Sequence, residues 1–134
     1  MQVSIIISLT VGQAMTARKE DFSIAALVIL DGIDEATASL VSAKINEFDP
    51  DYWLLFQPDS YIFFFREKRN GKERSVRGVA ALKALKNSNI RLGVLRIGQA
   101  SGPLVADFSW FGRVKTPPFG TAANEAHKNA RSAV

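Results

Sequence analysis

The chain has 134 residues, enough for one domain with a real core, and its 47% apolar and 22% charged residues match a globular composition, not a disordered one. With no cysteine and a single histidine, His127, it cannot form disulfides, zinc clusters, thiol nucleophiles or multi-histidine metal sites, and a non-oxidising, cytoplasmic setting is expected. A net charge of +4 suits an anionic ligand, and no apolar stretch approaches the roughly 20 residues of a membrane-spanning helix.

Residues 1–14 are apolar but lack the basic start of a secretory signal. Residues 1–21 are therefore expected to be a leader or edge strand ahead of a single domain over 22–134. Phe22 to Leu30 reads as a buried strand, rich in Ile, Leu and Val and closed by Asp31-Gly32. Asp34 stands where an N-cap belongs, and Ala36, Leu40, Val41, Ile45 and Phe48 recur at helical spacing until Asp49-Pro50 stops the helix. Tyr52 to Phe56 and Tyr61 to Arg66 read as two strands joined by the turn Gln57-Pro58-Asp59-Ser60. The basic run Arg66 to Arg74 reads as a solvated turn, since no aromatics interleave it as in a nucleic-acid surface.

Ser75 is expected to cap a second helix with the stripe Val76, Val79, Ala80, Leu82 and Leu85. Ile90 to Ile97 reads as a further strand, with Gly98 and Gly102 loosening the segment after it. Pro103 to Val114 reads as strand or hairpin, Thr116 to Gly120 as a rigid loop, and Ala122 to Arg131 as a last helix. The order is β-α-β-β-α-β plus a C-terminal hairpin and helix. It predicts an α+β fold with an antiparallel sheet and the two central helices on one face.

That topology lays the first strand beside the central hairpin, so Asp31 and Asp59 are expected at one sheet edge. A carboxylate at the end of a buried strand is costly if unpaired, and two together repel unless a cation lies between them. Such a pair suits a divalent-metal site for a nucleoside triphosphate. Each aspartate also has an ordinary use, Asp31 as a helix cap and Asp59 as a turn residue.

Four segments carry a resemblance: Val28-Ile29-Leu30-Asp31-Gly32-Ile33, Pro58-Asp59-Ser60-Tyr61-Ile62-Phe63-Phe64-Phe65, Arg91-Leu92-Gly93-Val94 with Gly98-Gln99, and Gly120-Thr121-Ala122-Ala123-Asn124-Glu125-Ala126, which matches Gly-x-x-x-Asn-x-Ala. Over about residues 25–131 the chain resembles the catalytic domain of class III nucleotide cyclases, the adenylate and guanylate cyclases. The resemblance implies a ferredoxin-like palm that turns a nucleoside triphosphate into a cyclic nucleotide and pyrophosphate. Asp31 and Asp59 would hold Mg²⁺ or Mn²⁺, and the amides of Gly32 and Ile33 would cradle the phosphates. Asn124 would orient the ribose, and Lys128, at the position of the family's transition-state arginine, would face the phosphates. Composite sites in a homodimer are also implied.

The pattern departs from the family at several positions. Lysine replaces arginine at 128, the base-selecting lysine falls at Leu55 and its partner at Pro117, and Pro58 precedes the second aspartate. Arg131 or Arg96 offers a guanidinium in place of the missing one, and His127 reads as a surface helix residue. These departures keep open a catalytically inactive cyclase-like module that binds nucleotide or dimerises. A palm-type cyclic dinucleotide synthase would use the same paired aspartates. A ferredoxin-like RNA-binding module fits the basic loop but lacks aromatic strand signatures.

Overall fold

The most apolar run of the sequence becomes the central strand of the sheet. In a computed structural model of the chain, residues 15–29, 34–56, 59–89, 92, 94–110, 114–115 and 117–133 are described. Asp31, Gly32, Ile33, Pro58, Arg91 and Gly93 lie outside them, as do residues 1–14. Strand β1 (Met15–Ile29) pairs antiparallel with β3 (Ser60–Arg66) on one side and β4 (Leu95–Trp110) on the other. Strand β2 (Tyr52–Phe56) lies outside β3 and β5 (Val114–Lys115) outside β4, so the sheet order is β2-β3-β1-β4-β5. Pairing with β3 begins at Phe22; residues Met15 to Asp21 run beyond β3 and pair with β4, which β5 flanks at Ser109 and Trp110.

Both faces of the sheet are covered, which is why β1 reads as a continuous apolar run without alternation. Ala25 and Leu27 point with Phe63, Phe65, Leu95 and Ile97 into a core closed by α1 (Glu35–Asn46) and α2 (Gly71–Ser88) through Val41, Val79 and Leu82. Phe22, Ile24, Ala26 and Val28 point the other way, with Ile62, Phe64, Leu104 and Ala106. Helix α3 (Thr121–Ser132) covers that second core through Ala122, Ala126 and Ala130. The α+β palm with two helices on one face and a C-terminal hairpin and helix is therefore the observed architecture. Among the described residues no helix is long and apolar enough to cross a membrane.

Several sequence expectations are corrected. Helix α2 begins at Gly71 rather than after Ser75, because Asn70 takes a left-handed turn (φ 57°) and Gly71 packs against the carbonyls of Phe65 and Arg66, where any Cβ would clash. Ser75 instead lies buried inside α2, and its hydroxyl donates to the Lys72 carbonyl at 3.1 Å. The buried stripe is Gly71, Ser75, Gly78, Val79 and Leu82, while Val76 faces solvent. Strand β4 runs Leu95–Trp110, and Leu92 and Val94 of the expected strand are not part of it. Gly98 and Gly102 do not loosen it; they pair with Ala26 and Phe22 of β1.

The basic run is largely neutralised by the chain itself. Asp51, whose side chain is 3% exposed, accepts from the Arg66 amide at 2.7 Å and from the guanidinium groups of Arg69 and Arg74. Arg66 pairs with Glu20 and the Tyr52 hydroxyl, and lies over the rings of Phe22 and Tyr52. These contacts tie β1, β2, β3 and the start of α2 together at the end of the sheet away from Asp59.

Candidate functional site

The site forms where the β2–β3 turn, the end of β1 and the flank of α3 meet. The Ile29 amide donates to the Asp59 carbonyl at 2.9 Å, so the strand end that leads into residue 31 is tied to the hairpin turn. Val28 pairs with Ser60 on one side and Arg96 on the other. Asp59 thus sits at the sheet edge where the element order puts it. The side chain of Asp31 is outside the described residues, as are the amides of Gly32 and Ile33.

Helix α3 reaches this edge through its periodicity. Alanines at 122, 126 and 130 form the buried stripe, and at Gly98 a Cβ would stand 2.2 Å from the Ala130 nitrogen. Helix and strand are in near-backbone contact there. One step around the helix, His127 and Arg131 sit four residues apart and face the start of β3. The Asn129 amide caps the other flank, donating to the Gln99 carbonyl at 2.8 Å.

Three side chains gather around Asp59. The Ser60 hydroxyl donates to Asp59 Oδ1 at 2.9 Å and also lies 2.9 Å from His127 Nε2. The hydroxyl has one proton, so an imidazole protonated at Nε2 donates to Ser60 while Ser60 donates to Asp59, whereas an unprotonated Nε2 accepts from Arg131 Nε instead. Arg131 Nη2 reaches both Asp59 oxygens at 3.1 Å, and Arg131 Nε lies 3.3 Å from His127 Nε2. The Ser60 hydrogen bond, aided by Arg131 and opposed by partial desolvation, holds the Asp59 carboxyl below the ordinary 3.8. Burial, and then the Arg131 charge, push His127 below the ordinary 6.5 against the smaller pull of Asp59. At neutral pH the cluster is a neutral imidazole beside an ionised carboxylate and a guanidinium.

His127 also closes a cavity of about 460 Å³ between α3 and the outer sheet. Leu54, Ile62, Phe64 and Pro118 line it, and Asn124 and His127 supply polar atoms. Its size is that of a small-ligand pocket. Asn124 is exposed on α3 and borders the cavity; Lys128, one turn on, is exposed and does not. The sequence placed the base-reading positions at Leu55 and Pro117, but Leu54 and Pro118 are the residues that face the cavity. Neither can hydrogen-bond a base edge.

Sequence reasoning missed Ser60 and misjudged His127, which is half-buried and bonded rather than a free surface residue. A signal was available: His127 and Arg131 lie three and seven residues after Asn124, one helical flank away from the alanine stripe. Among the described residues no three acidic or histidine side chains gather as a ready metal cage.

No protein-family model and no curated protein matches the chain. Solved structures do. The chain is similar to the non-canonical dimeric guanylyl cyclase domain of the RhoGC fusion protein from the aquatic fungus Blastocladiella emersonii, with 16% identity, a TM-score of 0.59, and coverage of 90% of this chain and 79% of that one. It is similar to the catalytic core of a rhodopsin-guanylyl cyclase with converted specificity, in complex with ATPαS, at 16% identity and TM-score 0.57 over 88% of this chain and 76% of that one. A bacterial light-regulated adenylyl cyclase matches 97% of this chain over 46% of its own length, at 16% identity and TM-score 0.56. The fold is that of the class III cyclase catalytic domain, and at these identities the likeness is one of fold.

Proposed function

We propose that the chain is a divergent nucleotide cyclase domain that converts a nucleoside triphosphate into a cyclic nucleotide and pyrophosphate, with a divalent cation and in a homodimer. The observation that carries this reading is the hydrogen bond between Ile29 and Asp59, which ties the approach to Asp31 to an ionised carboxylate at the hairpin turn. The donor chemistry fits the implied metal. Asp59 offers hard carboxylate oxygens, and a positive group, the Arg131 guanidinium, already stands in for a cation against both of them. Asp59 and Asp31 would hold Mg²⁺ or Mn²⁺, which would supply a lowered pKa at the ribose 3′-hydroxyl and charge balance on the leaving pyrophosphate.

In this reading the chain's own groups bind and orient. The amides of Gly32 and Ile33 receive phosphate oxygens ahead of α1. Asn124, at the mouth of the cavity, orients the ribose, and Lys128 faces the phosphates. Lysine brings the charge of arginine without its planar fork, so transition-state stabilisation is weaker. An apolar cavity faced by Leu54 and Pro118 holds a base by burial and shape, so discrimination between purines is modest.

A catalytically silent, nucleotide-binding module is favoured by one specific observation: Asp59 is already neutralised within the chain by Arg131. Incubation with each nucleoside triphosphate and Mn²⁺ separates the two readings. Pyrophosphate release that disappears in both Asp31→Ala and Asp59→Ala supports the cyclase. Release that persists in either variant refutes the metal assignment. Nucleotide binding without release selects the silent module.

A further inference from the structure

Asp59 is coordinated before any ligand arrives. Its carboxylate receives the Ser60 hydroxyl on Oδ1 and a single Arg131 nitrogen on both oxygens, each at 3.1 Å. A nitrogen equidistant from the two oxygens lies along the direction from which a cation approaches a carboxylate with both oxygens. A divalent ion there would sit about 2.0–2.6 Å from oxygen, overlapping the guanidinium. One-oxygen binding is also restricted, since Oδ1 already serves Ser60 and Arg131. Keeping Arg131 beside an ion bound at this carboxylate is unfavourable, because the like charges would be only a few ångströms apart.

We propose that Arg131 and a divalent cation compete for the Asp59 carboxylate, so that Arg131 is a built-in counter-ion that sets the metal affinity of this site. The inference rests on the reading of Asp59 as a metal ligand. The competition is graded. Both partners are partly exposed, at 40% and 34%, so the contact is a surface ion pair and not a buried lock. A surface pair of this kind is weak, so releasing it changes the metal affinity by only a few-fold. Metal therefore enters by displacing Arg131 onto another acceptor, and the freed guanidinium remains at the site edge. Arg131 is thus a positioning residue for the cation, separate from the roles given to Asn124 and Lys128.

The test measures Mn²⁺ affinity of the full chain, by calorimetry and by the paramagnetic resonance signal of free Mn²⁺. The proteins compared are the wild type, Arg131→Ala, Arg131→Gln, Asp59→Ala and Lys72→Gln. Lys72 is exposed near the start of α2, and its replacement removes the same unit of charge far from Asp59. The expected result is Mn²⁺ binding two- to five-fold tighter in both Arg131 variants and unchanged in Lys72→Gln. The gain should vanish when Asp59→Ala is added. Equal or weaker binding in the Arg131 variants, with a site that still depends on Asp59, overturns the competition and leaves the metal assignment standing. A gain of the same size in Lys72→Gln also overturns it, as a net-charge effect. Binding that ignores Asp59 in every protein overturns the metal assignment and the competition together.

Discussion

Gly98→Ala is the perturbation that most directly links the fold to the site. A Cβ at this position would stand 2.2 Å from the Ala130 nitrogen and 2.7 Å from the Ala126 carbonyl oxygen, both backbone atoms that cannot swing aside. Restoring ordinary van der Waals distance requires α3 to withdraw from β4 by about 1 Å. Overpacking of this kind costs about 1–3 kcal/mol. For a chain of this size that corresponds to a melting temperature lower by about 4–10 °C. The same withdrawal lengthens the Ser60–His127 contact of 2.9 Å and the Arg131–Asp59 contacts of 3.1 Å beyond hydrogen-bonding range. His127 is the only histidine, so its ring protons can be tracked by NMR titration without labelling. In Gly98→Ala the chain should melt lower, and the His127 pKa should rise toward 6.5 as burial and the Arg131 charge are relieved. An unchanged melting temperature together with an unchanged His127 titration would refute the account of α3 seated on Gly98.

Asp51→Ala should destabilise by about 1–3 kcal/mol in urea denaturation, because it leaves the Arg66 amide without its acceptor and takes the carboxylate from Arg74, which keeps the Arg69 and Asp49 carbonyls. A loss below about 1 kcal/mol would show the clamp to be incidental. Among the described residues, the pH dependence of stability below neutrality comes from two lowered pKa values, those of His127 and Asp59. His127 contributes in full above 6.5; as pH falls below that value the unfolded chain takes up a proton that the folded chain refuses, and stability drops. Asp59 contributes above 3.8 and its share is lost as pH falls through its lower folded value. Melting temperatures should therefore fall from pH 7 to 5, and His127→Asn should flatten that slope. Lys128→Arg should preserve or raise any pyrophosphate release, since it supplies a planar fork at the position proposed to face the phosphates.

The sheet was legible because its signals are local. Asp49-Pro50, the Pro58-Asp59 turn and the Ile, Phe and Val runs mark β2, β3 and the paired core of β1 to within a residue or two of where they lie. The start of α2 was missed because it depends on a left-handed Asn70 and on room at Gly71, and Ser75 imitates a cap. The two glycines of β4 resemble breaks in a one-dimensional reading. In three dimensions Gly98 is the place where a helix touches a strand. Of the site, Asp59 was found at the edge the topology demands. Ser60 and His127 were not, because their meaning lies in a contact across 67 residues that no periodicity encodes.

Helix α3 joins these observations. It carries Asn124, His127, Lys128 and Arg131, yet it is held to the sheet by three alanines and a glycine contact. Alanine methyls bury little area, so its seat is defined by shape and close approach more than by hydrophobic free energy. Elements with few buried apolar atoms are the ones that shift or open at low cost. The polar contacts to Ser60 and Asp59 therefore do more than arrange a carboxylate: they supply much of what aligns the helix end with the hairpin. Loss of the Arg131–Asp59 contact acts on the end of that helix. Asn124, His127 and Arg131 ride on the same helix, so a shift of its end moves the mouth of the cavity together with the contacts to Asp59.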